Sequence, residues 1–419
     1  MVKRPIDYSR APDPPTGTES RAPVTRCVSP LAHRLREIEP FHVMELLARA
    51  KALEAQGRDI VHMEIGEPDF PTPRPVCEAG IKALEHGELF YTPALGIQKL
   101  REAIAGFYQT RYGVALAPSR VVVTSGSSGA LLLAIAALVN PGDQVLMADP
   151  GYPANRHLVR MMEGEAVGIA VGPDSHYQLT AELIEQHWGS RTVAALVATP
   201  SNPAGTLISQ AQLLAMAAFT QAHGGALIVD EIYHGLVYEG TTNTAVDAGE
   251  NVFVINSFSK YFNMTGWRLG WMVVPERYIR ELDKLSQNIY LSAPTPAQLA
   301  ALVAFEPETL AICEARREEF RVRRDYLVPA LRELGFDISY TPPGAFYVYA
   351  DCSRLTNDSH AFALELLERA GVAITPGIDF GRHRAHEHVR FAYTRPVERL
   401  REGVRRMREY LSAKGTVRV

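Results

Sequence analysis

Two rhythms of apolar and polar positions alternate along this chain. Short apolar runs recur between about residues 90 and 290, at Val121–Thr124, Gln144–Ala148, Val193–Thr199, Ala226–Asp230, Val252–Asn256 and Leu269–Val274. Runs this short, rich in β-branched residues and bounded by turn residues, predict strands buried on both faces. Longer stretches with helical character, Ala130–Val139 and Gln210–His223, lie between them, and Asn140-Pro-Gly-Asp143 marks a turn. Such alternation predicts an α/β fold with a mostly parallel sheet covered by helices. Ligands of open α/β sheets bind beyond the carboxyl ends of the strands.

The pattern changes after about residue 300. Residues 312–334 are charged and helical, with Leu327, Leu331 and Leu334 on one apolar stripe. Strand-like segments follow at Asp337–Thr341, Ala345–Ala350, Val372–Thr375 and His388–Tyr393, then an Arg-rich helix at Val397–Leu411. This reads as a smaller α+β unit. The chain divides into a flexible tail over 1–29, a segment over 30–65 that packs on the small unit through a helix at Val43–Ala55, a large domain over 66–300 and a small C-terminal domain over 301–419.

Composition narrows the function. The 419 residues are 47% hydrophobic and 21% charged, which supplies ample core. A net charge of −4 gives no reason to expect nucleic acid or an anionic membrane surface as partner. No apolar stretch is long enough to span a bilayer. The scattered cysteines Cys27, Cys77, Cys313 and Cys352 show neither metal-ligand spacing nor a disulfide pattern. No metal is expected, and a reducing, cytoplasmic location is.

The chemistry gathers at strand ends. Asp230 closes the run Ala226–Asp230, and Lys260 follows Val252–Asn256 in the string Ser257-Phe-Ser259-Lys260. A carboxylate and an amine at two such ends can share one cavity. The amine can form an imine with an aldehyde, and the carboxylate can hold a protonated pyridine nitrogen, the minimum equipment for pyridoxal 5′-phosphate (PLP) chemistry. Alone, such a lysine more often marks a strand's exit to solvent. Arg268, in Thr265-Gly-Trp-Arg-Leu-Gly270, offers a bidentate fork for a phosphate, against the plainer reading of a surface ion pair. Ser125-Gly-Ser127-Ser128-Gly129 joins a strand to an apolar helix, and free N–H groups at such a turn suit a phosphate. It matches neither a P-loop, a dinucleotide fingerprint nor a nucleophile elbow. Tyr233 could reach a ring oxygen or simply pack. Tyr152, in Asp149-Pro-Gly-Tyr-Pro153, could stack on a flat ring or fill the core. Asn202 lies in a Pro/Gly turn and could donate to a ring oxygen. Gly66 permits close backbone approach. Arg390, the one basic residue inside the strand His388–Tyr393, is either a paired core arginine or a clamp for a substrate carboxylate.

Together the strings GEPDF at 66–70, YTPALGIQKLREAI at 91–104, SGSSGAL at 125–131, DPGYP at 149–153, SNPAGT at 201–206, DEIY at 230–233, SFSK at 257–260, TGWRLG at 265–270 and VRFAY at 389–393 resemble the class I/II PLP-dependent aminotransferases of fold-type I, in order, over about residues 30 to 412. The resemblance implies a seven-stranded large domain. It implies that Lys260 carries PLP as an imine, Asp230 pairs with the pyridine nitrogen, Asn202 and Tyr233 contact the ring oxygen, and Tyr152 stacks. It places Ser127, Ser128, Ser257 and Arg268 around the phosphate. It gives Arg390, with Asn202 and the Gly66 backbone, the substrate carboxylate. It further implies a homodimer with shared active sites in which Tyr91 reaches the neighbour's phosphate. The implied reaction moves the α-amino group of an L-amino acid to a 2-oxo acid in ping-pong fashion, with a C–S β-lyase or synthase on the same fold as alternative. The glycine-rich turn lacks the lysine that some aspartate-specific relatives place there, so a broader donor range is expected, with Phe346 or Tyr349 as pocket walls.

Overall fold

Strands that are apolar at every position need cover on both faces, and the large sheet is built that way. The structure, a computed structural model, describes residues 31–415 apart from 88, 241 and 242; the tail expected over 1–29 and Cys27 lie outside the described residues. Its strands are β1 (Val61–His62), β2 (Val121–Thr124), β3 (Gln144–Asp149), β4 (Glu165–Ala170), β5 (Thr192–Ala198), β6 (Ala226–Asp230), β7 (Val252–Ser257), β8 (Gly270–Val273), β9 (Tyr347–Asp351), β10 (Val372–Ala373), β11 (Thr375–Pro376) and β12 (His388–Ala392).

Seven of these form one sheet in the order β2-β8-β7-β6-β5-β3-β4. All neighbours are parallel except β8, which runs against both β2 and β7. Alternate side chains enter two cores. Val121, Val123, Leu227, Val229, Val252 and Val254 join one, and Val122, Ile228, Phe253 and Ile255 the other. The helix Gly126–Leu138, apolar all round, is buried in the second core. The strand β4 has no counterpart in the sequence reading. It lies at the sheet edge with both end residues exposed and Ile169 buried, so it lacks the unbroken apolar run of a central strand.

The C-terminal third holds an antiparallel sheet, β11-β12-β9, with the helices Pro307–Glu333 and Val397–Ala413. The first of these starts earlier than residue 312, with Pro at the first helical position, where no N–H is needed. The strand expected at Asp337–Thr341 does not form. Only Asp337 pairs, with Asp351, and the prolines of Thr341-Pro-Pro-Gly344 offer no N–H to continue a ladder. The expected strand Val372–Thr375 splits: Val372 and Ala373 pair in parallel with β1, and Thr375 pairs with Arg390 of β12. The β1–β10 pair ties the N-terminal segment and its helix His42–Glu54 to the C-terminal third. Among the described residues no helix is long and apolar enough to cross a membrane.

Candidate active site

The sheet order brings the sequence motifs together. Strands β6 and β7 are adjacent and parallel, with Asp230 opposite Ile255, so Asp230 and the Ser257–Lys260 string leave the sheet at the same edge. Gly270, at the start of β8, pairs with both Thr124 and Ser257. The loops after β2 and β7 and the loop entering β8 therefore meet over that glycine. A Cβ there would lie 2.7 Å from the carbonyl carbon of Gly126 and 2.8 Å from the nitrogen of Ser127, so only glycine lets them close.

One end of the site is built for an anion. Gly126 has φ +72° and opens the helix Gly126–Leu138, whose first turn has no side-chain cap. A Cβ on Gly126 would sit 2.7 Å from Nη2 of Arg268, so the guanidinium lies directly on this turn. Arg268 donates to the Thr265 carbonyl (3.0 Å) and to no carboxylate among the described residues. Ser127 is half-buried and Ser128 exposed. Ser257 is buried; its hydroxyl donates to the Leu269 carbonyl (3.2 Å), lies 2.9 Å from Ser259 Oγ and accepts from the Ser259 N–H (3.0 Å). Uncapped helical N–H groups, a fork and hydroxyls suit a phosphate.

The other end holds an acid. Asp230 is 5% exposed and accepts the Ile232 N–H at 3.0 Å. Burial pushes its carboxyl up to about 7, the Ile232 N–H opposes this, Glu231 pushes the same way and Lys260 opposes it. Glu231 is itself fully buried, held by Thr244 Oγ1 (2.9 Å) and the Ala245 N–H (2.7 Å). Lys260 donates to the Gly66 carbonyl at 2.7 Å, with its Nζ 5.9 Å from the Phe346 ring centroid. Burial lowers the amine to about 8; Glu67 opposes this, Arg390 and Arg268 add to it, and Asp230 opposes. Amine and carboxylate thus lie within each other's field.

Arg390 is 5% exposed and, among the described residues, paired with no carboxylate. Its Nη1 donates to Asn202 Oδ1 (2.9 Å) and its Nη2 to the Glu64 carbonyl (2.6 Å) and Thr375 Oγ1 (3.3 Å). The buried Nε has no partner among the described residues. The guanidinium carbon lies 4.2 Å from the Tyr347 ring centroid and 4.8 Å from that of Phe380. A buried cation with neutral partners is costly and awaits an anion. Tyr233 and Tyr347 share a hydroxyl–hydroxyl bond of 2.8 Å. A Cβ on Gly66 would collide with the Tyr347 hydroxyl, at 1.9 Å. Tyr152 is half-buried in the field of Tyr347, Asp230, Arg390 and Arg268, and burial raises its phenol. It lines, with Asn202 and Phe380, a cavity of about 910 Å3.

Two expected residues stand apart. Tyr91 is 83% exposed on the surface of this chain. Of the expected pocket walls, Phe346 lies by Lys260, whereas Tyr349 stacks on His388 at 4.8 Å. Tyr347, Phe380, Thr375 and the Glu64 carbonyl were not singled out by the sequence. The Thr375–Arg390 pairing and the strand alternation that put Tyr347 and Tyr349 on one face carry that information.

The Aminotransferase class I and II family model matches residues 58–407. The chain belongs to this family. It is 41% identical over 89% of its length to a valine–pyruvate aminotransferase of Mycobacterium tuberculosis, covering 97% of that protein. It is 35% identical to an aspartate/prephenate aminotransferase of Thermus thermophilus, over 91% of this chain and 98% of the relative. A crystal structure of an aminotransferase from Mycobacterium tuberculosis superposes with a TM-score of 0.89 at 40% identity, over 92% of this chain and all of that one. This aminotransferase is an enzyme of amino-group transfer, and the relatives do not favour the C–S lyase alternative.

The buried acid has a stability consequence in the cofactor-free enzyme. A carboxyl raised from 3.8 to about 7 stabilises the fold only while protonated, so this contribution is full below about pH 4 and is lost as pH rises to about 7. Replacing Asp230 by Asn removes the cost. Apo D230N should melt above the apo wild type at pH 8, by up to about 4 kcal/mol in stability, and the gap should close below about pH 4. Thermal melts across that range check it; an apo variant less stable at pH 8 would contradict the buried charge.

Proposed function

We propose that the enzyme binds PLP at this site and moves the α-amino group of an L-amino acid to a 2-oxo acid in two half-reactions. The observation that carries the reading is the amine of Lys260 and the buried carboxylate of Asp230 on adjacent strand ends, with a buried arginine, Arg390, that has no carboxylate partner among the described residues. The residues fit the cofactor. Gly126, Ser127, Ser128, Ser257 and Arg268 would hold its phosphate, Asp230 its ring nitrogen, Asn202 and Tyr233 its ring oxygen, and Tyr152 its face. When bound, PLP supplies an aldehyde for the lysine and a ring that takes up the electron pair released at the substrate α-carbon.

The protein supplies the rest. Lys260, lowered to about 8, is a nucleophile and proton carrier near neutral pH. With PLP bound, its Nζ would take the proton from the substrate α-carbon and hold it for return to carbon. Asp230, raised by burial, would be drawn into its charged form by a protonated ring nitrogen. Arg390 receives the substrate carboxylate, oriented by Asn202, Thr375 and the Glu64 carbonyl, and the faces of Tyr347 and Phe380 exclude water from it.

The glycine-rich turn offers Ser127 and Ser128 and no lysine for a distal carboxylate, which supports a broad donor range, as does a valine–pyruvate relative. The large and small domains are read as 66–300 and 301–419. We further read the enzyme as a homodimer. Leu89, Phe90 and Tyr91 are 37%, 77% and 83% exposed, next to exposed Ile81 and Leu84, an apolar surface suited to a second copy. Tyr91 would then serve the partner's phosphate site. Cys77, Cys313 and Cys352 are unbridged, in keeping with a reducing cytoplasm.

The test is a panel of amino acids against 2-oxo acids with PLP-saturated enzyme. Exchange of the amino group is expected; its absence across the panel rejects the reading. The anion cradle gives a second check. Gly126→Ala puts a methyl against Arg268 and forces a non-glycine residue to φ +72°. Affinity for PLP should fall at least tenfold, about 1.4 kcal/mol, by equilibrium titration. Unchanged affinity would move the phosphate elsewhere.

A further inference from the structure

The cysteines show no metal-ligand spacing in the sequence, and the residues that do converge are two histidines and a glutamate from distant segments. His42 and Glu45 occupy one face of the helix His42–Glu54, three residues apart. His360 lies in the helix Ser359–Glu365 of the C-terminal third. One ligand atom from each of the three lies within 4.8 Å of the others. The imidazoles meet edge to face at 5.5 Å. None of the three side chains has a hydrogen-bond or ion-pair partner among the described residues, not even each other.

That last point separates this cluster from an ordinary histidine–carboxylate contact. His62 shows the ordinary case: its ring nitrogens lie 2.6 Å from Glu64 and 3.0 Å from Glu54, leaving no space for an ion. At His42, Glu45 and His360 the ligand atoms lie within 4.8 Å of one another without closing on each other, the two imidazoles half-buried and the carboxylate exposed. The backbone under them is fixed. Asp379 accepts the N–H groups of His42 (2.7 Å) and Val43 (2.9 Å), and Asp358 accepts that of His360 (3.0 Å).

We propose that His42, Glu45 and His360 bind a zinc-class divalent cation that ties the N-terminal helix to the C-terminal third. Two imidazoles and one carboxylate make a three-ligand set suited to zinc, with the fourth, solvent-facing position left for water. Bonds of about 2.0–2.2 Å set donor separations near 3.5 Å, so side-chain rotations of about 1 Å complete the site. His42 also lines the cavity that Tyr152 and Asn202 face, so the ion braces one wall of it. The site does not depend on PLP.

The experiment titrates Zn²⁺ into chelator-treated, tag-free, PLP-saturated enzyme by calorimetry, with thermal melts in parallel. One equivalent is expected to bind beyond whatever the double variant H42Q/H360Q binds, and Zn²⁺ should raise the melting temperature of the wild type alone. E45Q should weaken binding at least tenfold, and Mg²⁺ should do nothing. Equal Zn²⁺ binding or an equal melting response in wild type and double variant would overturn the proposal. Should the double variant not fold, Co²⁺ added to the wild type decides: strong four-coordinate absorption bands support the site, and only the weak six-coordinate spectrum overturns it.

Discussion

Lys260→Ala should abolish amino-group exchange, lowering kcat by about 10⁴ or more, the upper end of what a positioned proton carrier supplies. Two functions go with one side chain. The amine is the nucleophile for the cofactor aldehyde, and it is the base at the substrate α-carbon. The site prepares it for both: burial lowers the amine to about 8, with Arg390 and Arg268 adding to that and Glu67 and Asp230 restraining it. Two measurements separate the functions. Borohydride treatment should fix PLP to the wild type and not to the variant, read by mass. Added small amines should restore some exchange in the variant by supplying a mobile base, and cannot restore the covalent link. PLP itself should still bind, because Arg268, Ser257 and the Gly126 turn are untouched. The pH dependence follows from the same value. The free amine is the reactive form, so PLP uptake by the apoenzyme should quicken as pH rises through about 8 and then level. A variant that retains a borohydride-fixed cofactor would remove Lys260 from the centre of the site.

The parts of this site that were legible in the sequence share a property: each sits within a few residues of a strand end. Asp230 ends β6, Lys260 follows β7, and the Gly126 turn follows β2. A buried strand is readable from its apolar run, and a polar residue at its end stands out against it. What was not legible depends on pairing between distant segments. Tyr347 is one aromatic among several in Phe346-Tyr-Val-Tyr349. Its place against Gly66, Tyr233 and Arg390 follows from the antiparallel register of β9 with β12. The Glu64 carbonyl reaches Arg390 because β1 pairs with β10, a strand of two residues that no periodicity reveals. The edge strand β4 went unread for the converse reason, since half-exposed residues carry little apolar signal. The helix Gly126–Leu138 also starts well before its first large apolar residue, which moves the Ser127 N–H from a loop into an uncapped first turn.

Arg390→Ala should raise KM for the amino acid by about 10²–10³, in keeping with the 2–5 kcal/mol that truncating a buried charged partner typically costs. The argument rests on the present partners of the guanidinium. Asn202, Thr375 and the Glu64 carbonyl are all neutral, and the buried Nε has no partner among the described residues. Such a group carries full charge in a dry place, and the rings of Tyr347 and Phe380 offset that only in part. A substrate carboxylate completes it. Removing the cation therefore costs substrate affinity, while the free protein loses a group that was costly to bury. The expected signature is a large rise in KM for both donor and acceptor, a smaller fall in kcat, a melting temperature close to that of the wild type, and an unchanged affinity for PLP. Arg390→Lys should recover little, because one ammonium cannot reproduce the two-pronged geometry that Asn202 and Glu64 orient. Steady-state kinetics on both variants, with melts to confirm the fold, decide the matter. If KM for donor and acceptor stayed at wild-type values in a folded Ala variant, Arg390 would be a structural residue and the carboxylate would have to bind elsewhere.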